Sequence, residues 1–333
     1  MGKRTGQAAL NHAPLRVLSA LSALLFIFQL AACASQQIHT ASPGQSQATE
    51  RAPRMFWTVQ AAPEAYGKGI LHVQGTLHLG TPELYPLDSR SLAALASADL
   101  VLAEMSPREL AGVQQLVLAR MATATLRDGT SLRTLLLPDD VAWLESFIGS
   151  AVFKALESYE PWVAYSAVDQ FAASRLGLDP GLGVDAALFK EAAILGKQVE
   201  GLETAAEQLR LLTGSALSLQ VLLLRDSIRE YRYHADALRS LYRAYLQDDR
   251  AALEREVSAS IERSETFAPA LAEFNDAILS TRNAAWAKRL AGWLDEGKTV
   301  YLFAGAAHFV GPGNVLARLE DYGYCAAQTL KRP

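Results

Sequence analysis

Two apolar stretches, one towards each end of the chain, close on the same short pattern. "ILHVQGT" runs into Gly75-Thr-Leu-His78, and "TVYLFAG" runs into Gly305-Ala-Ala-His308. Each is rich in aliphatic and β-branched residues and reads as a strand buried in a sheet. A sheet of buried strands has to be covered on both faces, which calls for helices around it. A histidine three residues after a glycine, just beyond a strand tip, also sits where open α/β sheets bind their ligands, at the carboxyl ends of the strands. The glycine lets the chain bend there and lets a ligand approach closely.

The remaining pattern agrees with one α/β body. "RMFWTVQ" and "KGILHVQGT", separated by a turn containing Pro and Gly, read as a hairpin. Residues 92–96 read as helix, and "DLVLAEM" as a buried strand with Glu104 near its end. Amphipathic helical patterns begin at Pro107, one of them opened by "PDDVAWLESF" behind Pro138. Residues 181–268 contain no proline and are mainly helical, with "KQVEGLE" as a further strand. Residues 217–245 read as one long helix and 268–294 as another. The chain then closes strand, helix, strand through "TVYLFAG", "GPGNVLARLEDYG" and "YCAAQTL". The predicted class is α/β, a central mixed, largely parallel sheet with flanking helices and a large helical middle.

The first 54 residues stand apart. Lys3, Arg4 and Arg16 precede an uncharged apolar run, residues 17–30, which is followed by "LAAC". A basic start, a short apolar core and a small-residue cleavage site make residues 1–32 a signal peptide rather than a membrane span. Small residues directly before Cys33 resemble a bacterial lipobox, so Cys33 is expected to carry a lipid. With no aspartate behind it, the resemblance implies the periplasmic face of an outer membrane. Residues 33–54, rich in Ser, Gln, Thr, Ala and Pro, then form a flexible tether, and residues 55–333 form the folded body. Losing three basic residues and no acid takes the net charge from -4 to about -7. An acidic exported body has no electrostatic case for nucleic acid, and the Arg- and Tyr-rich stretch 225–245 reads as a solvated helical face. Cys325 is the second of two cysteines, so with Cys33 lipidated no intrachain disulfide forms. It is expected to be a small buried apolar residue.

Of six histidines, His12 and His39 fall in the first 54 residues. His72, inside a strand, faces core or solvent, and His234 reads as surface or packing. His78 and His308 form one site if their strands are neighbours in the sheet. Glu104, ending "LVLAE", lies at the same kind of strand tip, where a carboxylate needs a partner. That partner is either Arg108 or a metal. Two histidines and a carboxylate suit Zn or Mn and leave positions open for water and substrate. Gly311 to Asn314 either present backbone N–H groups to an anion or simply turn the chain.

Five segments, "GTLHLG", "ADLVLAEM", "GLGVDAALFKEAAILGKQVEGLETAAEQL", "TRNAAWAKRL" and "FAGAAHFVGPGNVLARLEDYGY", together resemble the TraB/GumN family. That family is related to Tiki-type membrane proteases and more distantly to ChaN and erythromycin-esterase-like proteins. The resemblance implies a metal-dependent protease supported by Mn or Co, with His78 and His308 paired and Glu104 as the acid. It also implies site roles for Arg282 and Asn283, for Glu203 and Gln208, and for Asp185. Arg282 would hold a carboxylate or an oxyanion, and Asn283 would donate to either. Glu203 reads as a ligand or general base, or as a structural partner of Arg282. Asp185 reads first as the N-cap of "AALFKEAAIL".

No H-E-x-x-H and no G-x-S-x-G occurs, and "GLGVDA" is not a dinucleotide fingerprint. The expectation is therefore a lipid-anchored metal-dependent hydrolase acting on a peptide or protein, with Mn, Co or Zn. The alternative is a binding module for peptide, haem or metal without turnover.

Overall fold

The structure is a computed structural model and describes residues 54–61 and 68–327. The expected signal peptide, Cys33 and nearly all of the expected tether lie outside the described residues. β1 (Phe56–Ala61) and β2 (Ile70–Thr76) form the expected hairpin, paired antiparallel. α1 (Ser89–Ser97) leads into β3 (Leu100–Met105). A helical block follows: α2 (Pro107–Ala122), α3 (Leu132–Leu135), α4 (Pro138–Ile148), α5 (Ser150–Leu156) and α6 (Pro161–Arg175). α7 (Val184–Ile194) returns the chain to β4 (Val199–Glu203). Then come α8 (Ala205–Thr213), α9 (Leu217–Tyr233), α10 (Ala237–Leu246), α11 (Arg250–Phe267), α12 (Ala272–Ile278) and α13 (Ser280–Asp295). β5 (Thr299–Gly305), α14 (Val315–Glu320) and β6 (Tyr324–Ala327) close the fold.

Local chemistry sets these boundaries. The Ser106 hydroxyl accepts from the Glu109 N–H with Pro107 at the first helical position, so β3 passes into α2 through a single capping residue. Thr204 and Glu207 form a reciprocal capping box that starts α8 directly behind β4. Both caps stop a strand at the sheet's carboxyl edge, within a residue or two of Glu104 and Glu203. Two of the expected long helices are broken. The 217–245 run is interrupted at His234, where α9 ends, and the 268–294 run becomes a short 3-10 turn, α12 and α13.

The six strands lie in the order β4-β3-β5-β2-β1-β6. β4, β3, β5 and β2 are mutually parallel, and β1 runs against both β2 and β6. The class is α/β with a mixed, largely parallel sheet. The register decides the site: Thr76 lies opposite Gly305 and Met105 opposite Glu203. The two Gly-x-x-His strands are therefore immediate neighbours, with β3 and β4 next along the same edge.

Two apolar clusters flank that edge. One packs Val73, Leu102, Val300, Leu302 and Phe303 of the sheet against Leu188 of α7 and Trp286, Leu290 and Leu294 of α13. The other gathers Val113, Leu144, Trp162, Val168, Leu224 and Ile228 of the helical block around Met105 at the end of β3. Each fully buried side chain of this size contributes roughly 1.5–3 kcal/mol, so the helical block is anchored on the strand end rather than loosely attached. Cys325 departs from expectation: it is exposed. β6 is an edge strand, and alternation turns Tyr324 inward and the next residue outward. Among the described residues no single helix is long and apolar enough to cross a membrane.

Candidate functional site

His78 stands two residues past β2, on a loop fixed from several sides. A Cβ on Gly75 would lie 3.2 Å from the Met55 and Trp57 side chains, so this turn is closed to larger residues. The Tyr245 hydroxyl donates to the Gly75 carbonyl at 2.8 Å. The "GLGVDA" segment packs directly on the loop. Gly80 and Asp179 exchange backbone hydrogen bonds at 2.9 Å, and the Val184 N–H reaches the Leu77 carbonyl at 2.9 Å. At Gly183 a Cβ would come within 2.4 Å of the His78 carbonyl oxygen.

This packing delivers Asp185, which is not the N-cap expected of it. Gly183 holds that position without a side-chain bond, and Asp185 lies inside the first turn of α7 with its carboxylate buried. Oδ1 accepts from the Thr76 hydroxyl at 2.5 Å, and Oδ2 lies 2.9 Å from His78 Nδ1. The Asp185 charge dominates His78 and raises its pKa to about 9 against the opposing effect of burial. Its ring is nonetheless 43% exposed, with Nε2 on the side away from Asp185.

His308 is the inner counterpart. It sits in a short 3-10 turn, Ala306–Phe309, directly after β5, and is 4% exposed. Its Nδ1 lies 2.6 Å from Asn283 Oδ1, and the Asn283 amide nitrogen donates to the Gly313 carbonyl at 3.1 Å. The ring packs against Trp286 with centroids 4.3 Å apart and planes tilted by 37°. Burial lowers the His308 pKa to about 4, so at neutral pH the ring is uncharged. With Nδ1–H given to Asn283, Nε2 carries the lone pair. Among the described residues neither His78 Nε2 nor His308 Nε2 makes a hydrogen bond.

Between the histidines lies a carboxylate network centred on Arg282. Its Nε and Nη2 grip Glu203 at 2.8 and 2.9 Å, Nη2 also reaches Glu104 Oε2 at 2.8 Å, and Nη1 donates to the Ile278 carbonyl. Gln208 Nε2 bridges Glu104 Oε2 and Glu203 Oε2 at 3.1 and 3.0 Å, and Trp286 Nε1 donates to Glu203 Oε1 at 2.7 Å. A carboxylate offers about four acceptor positions. Glu203 fills them all: two bonds on Oε1, two on Oε2. Glu104 has two donors on Oε2 and one, the Gly305 N–H at 2.9 Å, on Oε1. One lone pair of Glu104 Oε1 remains. Burial pushes the Glu104 pKa up, but His308, Arg282, His78 and the Gly305 N–H outweigh it and hold the group at about 2. A Cβ on Gly305 would lie 3.3 Å from Oε1 and 3.8 Å from the His308 ring.

The structure thus brings His78, Glu104, Asp185, Glu203, Gln208, Arg282, Asn283 and His308 to one end of the sheet. It divides them by what they have left to give. The free atoms are the two Nε2 nitrogens and one position on Glu104 Oε1. Glu203 is the structural partner of Arg282, and Gln208 donates to both glutamates. Asn283 holds His308 rather than donating to a substrate, and Glu104 pairs with Arg282 rather than with Arg108. Gly311, at φ +79°, turns the chain, and its carbonyl accepts from Asn314 Nδ2. His72 is engaged with Thr58 and Phe56, and His234 ends α9 exposed to solvent. Thr76 and Trp286 are site residues that the sequence reading does not single out. Trp286 follows Arg282 by four positions and Asn283 by three, the spacing of one helix face.

The donor chemistry suits a divalent ion: two imidazoles oriented through Nδ1 by outer acceptors, and a carboxylate with a free position. Among the described residues, however, no three His, Cys, Asp or Glu side chains already stand as a ligand cluster. An ion held by His78, Glu104 and His308 together would need them closer together than they stand here.

Fold and site together define an α/β protein with a paired-histidine, buried-glutamate centre at the carboxyl edge of a largely parallel sheet. The TraB/PrgY/gumN family model matches residues 55–328, and the chain belongs to that family. It is also similar to an uncharacterized protein of Treponema pallidum (strain Nichols), 27% identical over 300 residues that cover 88% of this chain and 87% of that one. No solved structure matches.

Proposed function

We propose that this chain is a lipid-anchored envelope hydrolase, a metal-dependent peptidase, attached to the periplasmic face of the outer membrane through Cys33. The observation that carries the reading is that each histidine keeps an unspent Nε2 and Glu104 one open acceptor position, all at one end of the sheet, while Asp185, Asn283, Arg282 and Gly305 hold these three side chains. His78, His308 and Glu104 would hold Mn, Co or Zn, which when bound lowers the pKa of water and polarises a carbonyl. The chain's own groups do the rest. The two histidines, Arg282 and the Gly305 N–H keep the Glu104 carboxylate ionised, so its one open Oε1 position would be available as the anionic ligand. Asp185 and Asn283 fix the two rings. Substrate would approach from the exposed His78 side, since His308 is buried against Trp286.

A second reading, a binding module without turnover, draws on one observation. Arg282 spends its guanidinium on Glu104, Glu203 and the Ile278 carbonyl, which leaves little charge for a developing oxyanion.

The test titrates the full-length chain with Mn, Co and Zn by calorimetry, beside His78→Ala/His308→Ala of verified fold, and screens both with quenched peptides. Near-stoichiometric binding lost in the double variant, with cleavage abolished by Glu104→Gln, is the expected result. Binding without cleavage selects the module, and equal binding in both proteins overturns the shared site.

A further inference from the structure

We infer that Trp286 is a positioning residue that holds the two halves of this centre in register. It is 1% exposed and touches three site groups at once. Its ring packs against His308 with centroids 4.3 Å apart and planes tilted by 37°, and its Nε1–H donates to Glu203 Oε1 at 2.7 Å. The Arg282 guanidinium carbon sits 5.0 Å from its ring centroid. His308 is bonded at Nδ1 to Asn283, one bond that leaves the ring free to rock about it. The indole face removes that freedom. Through its edge the same side chain completes the fourth bond on Glu203, which holds the guanidinium that holds Glu104. The α13 residues Arg282, Asn283 and Trp286 thereby act as one rigid comb: one tooth fixes the carboxylates, one fixes His308 Nδ1, and Trp286 ties the two together. A buried indole N–H needs an acceptor in any core; here that acceptor is the carboxylate that grips Arg282, and the ring beside it is His308.

The experiment uses the full-length chain with histidine rings isotopically labelled, and its first half needs no metal. His308 is assigned by loss of its signals in His308→Asn. Its ring protons are expected upfield of an ordinary imidazole, because the indole ring current acts on them. Trp286→Phe should keep part of that shift, and Trp286→Leu should abolish it and move the Nδ1 resonance as the Asn283 bond loosens. The second half rests on the metal reading proposed above. The Zn dissociation constant should rise about tenfold in Trp286→Leu, the scale seen when ligand-orienting groups are lost, and Trp286→Phe should recover most of it. Ordinary His308 shifts in the wild type overturn the inference. So do unchanged shifts in a variant whose circular dichroism shows it folded, and Trp286→Phe serves where Trp286→Leu does not fold. A wild-type chain that binds no Zn defeats the metal reading while the ring shifts still decide the role of Trp286.

Discussion

Replacing Glu203 by Gln separates holding from reacting. Glu203 accepts four hydrogen bonds, two of them from Arg282 at 2.8 and 2.9 Å. An amide accepts at one oxygen only. Whichever way the new amide is turned, its NH2 meets either Arg282 Nε and Trp286 Nε1 or Arg282 Nη2 and Gln208. At least one charge-assisted bond is lost and a donor is set against donors, each worth roughly 1.5–3 kcal/mol. Breaking a buried ion pair costs roughly 3–5 kcal/mol. With side chains 15% and 13% exposed, the lower end applies, about 3 kcal/mol. For a body of this size that is a drop in Tm of about 6–12 °C. Glu104 has one bond from the guanidinium and three in all, so Glu104→Gln should cost about half as much. Denaturant unfolding of the full-length variants, with Arg282→Gln completing a double-mutant cycle, reads both numbers. The reasoning fails if Glu203→Gln stays within about 0.5 kcal/mol of wild type. It fails equally if that variant keeps its stability and loses all cleavage, the behaviour of a general base.

Three further outcomes are expected. The metal-free chain should lose stability in alkali through His78: its folded pKa of about 9 lies above the ordinary 6.5, so its contribution is full below pH 6.5 and disappears as pH rises through 9. His78→Asn should flatten that limb of a Tm-against-pH curve, and an unchanged limb would remove the Asp185–His78 ion pair from the account. Gly183→Ala should destabilise by about 1–3 kcal/mol and weaken metal binding, since its Cβ would stand 2.4 Å from the His78 carbonyl oxygen; thermal melts and Zn calorimetry check both. The exposed thiol of Cys325 should react with an aromatic disulfide reagent in the native chain, and Cys325→Ser should lower the count of reacting thiols by one.

Much of the fold is legible in the chain because its strands are short, apolar and bounded by strong punctuation. "DLVLAEM" stops at a Ser-Pro cap, "KQVEGLE" stops at a Thr…Glu capping box, and both signals depend on neighbours a few residues away. The broken helices are the counterpart. Nothing around His234 forbids a helix locally: the backbone departs there because α10 has to turn back and place Tyr245 on the Gly75 carbonyl and Tyr242 on Thr81. Long-range packing won over local propensity. Cys325 departs from its expected burial for a related reason. Its strand looks apolar throughout, and only its place at the edge of the sheet decides which face meets water.

The site divides along the same line. That His78, His308 and Glu104 converge follows from strand order, and strand tips are visible in sequence. What each residue does there depends on how many of its lone pairs and N–H groups are already spent, and that count comes from residues far away in the chain. Asp185 precedes an apolar helical run and so satisfies every local criterion for a cap. It is diverted because Gly80, Gly183 and Leu77 knit two distant loops together and set its carboxylate against Thr76 and His78. Glu203 and Glu104 are both acids at the ends of parallel strands, indistinguishable by spacing. One lies between Arg282, Gln208 and Trp286 and is saturated. The other, one strand nearer β5, has three donors and lacks a fourth. Moving a carboxylate across a single strand position therefore changes it from a saturated anchor to a group with something left to give, and the difference is one unfilled acceptor site on Glu104 Oε1.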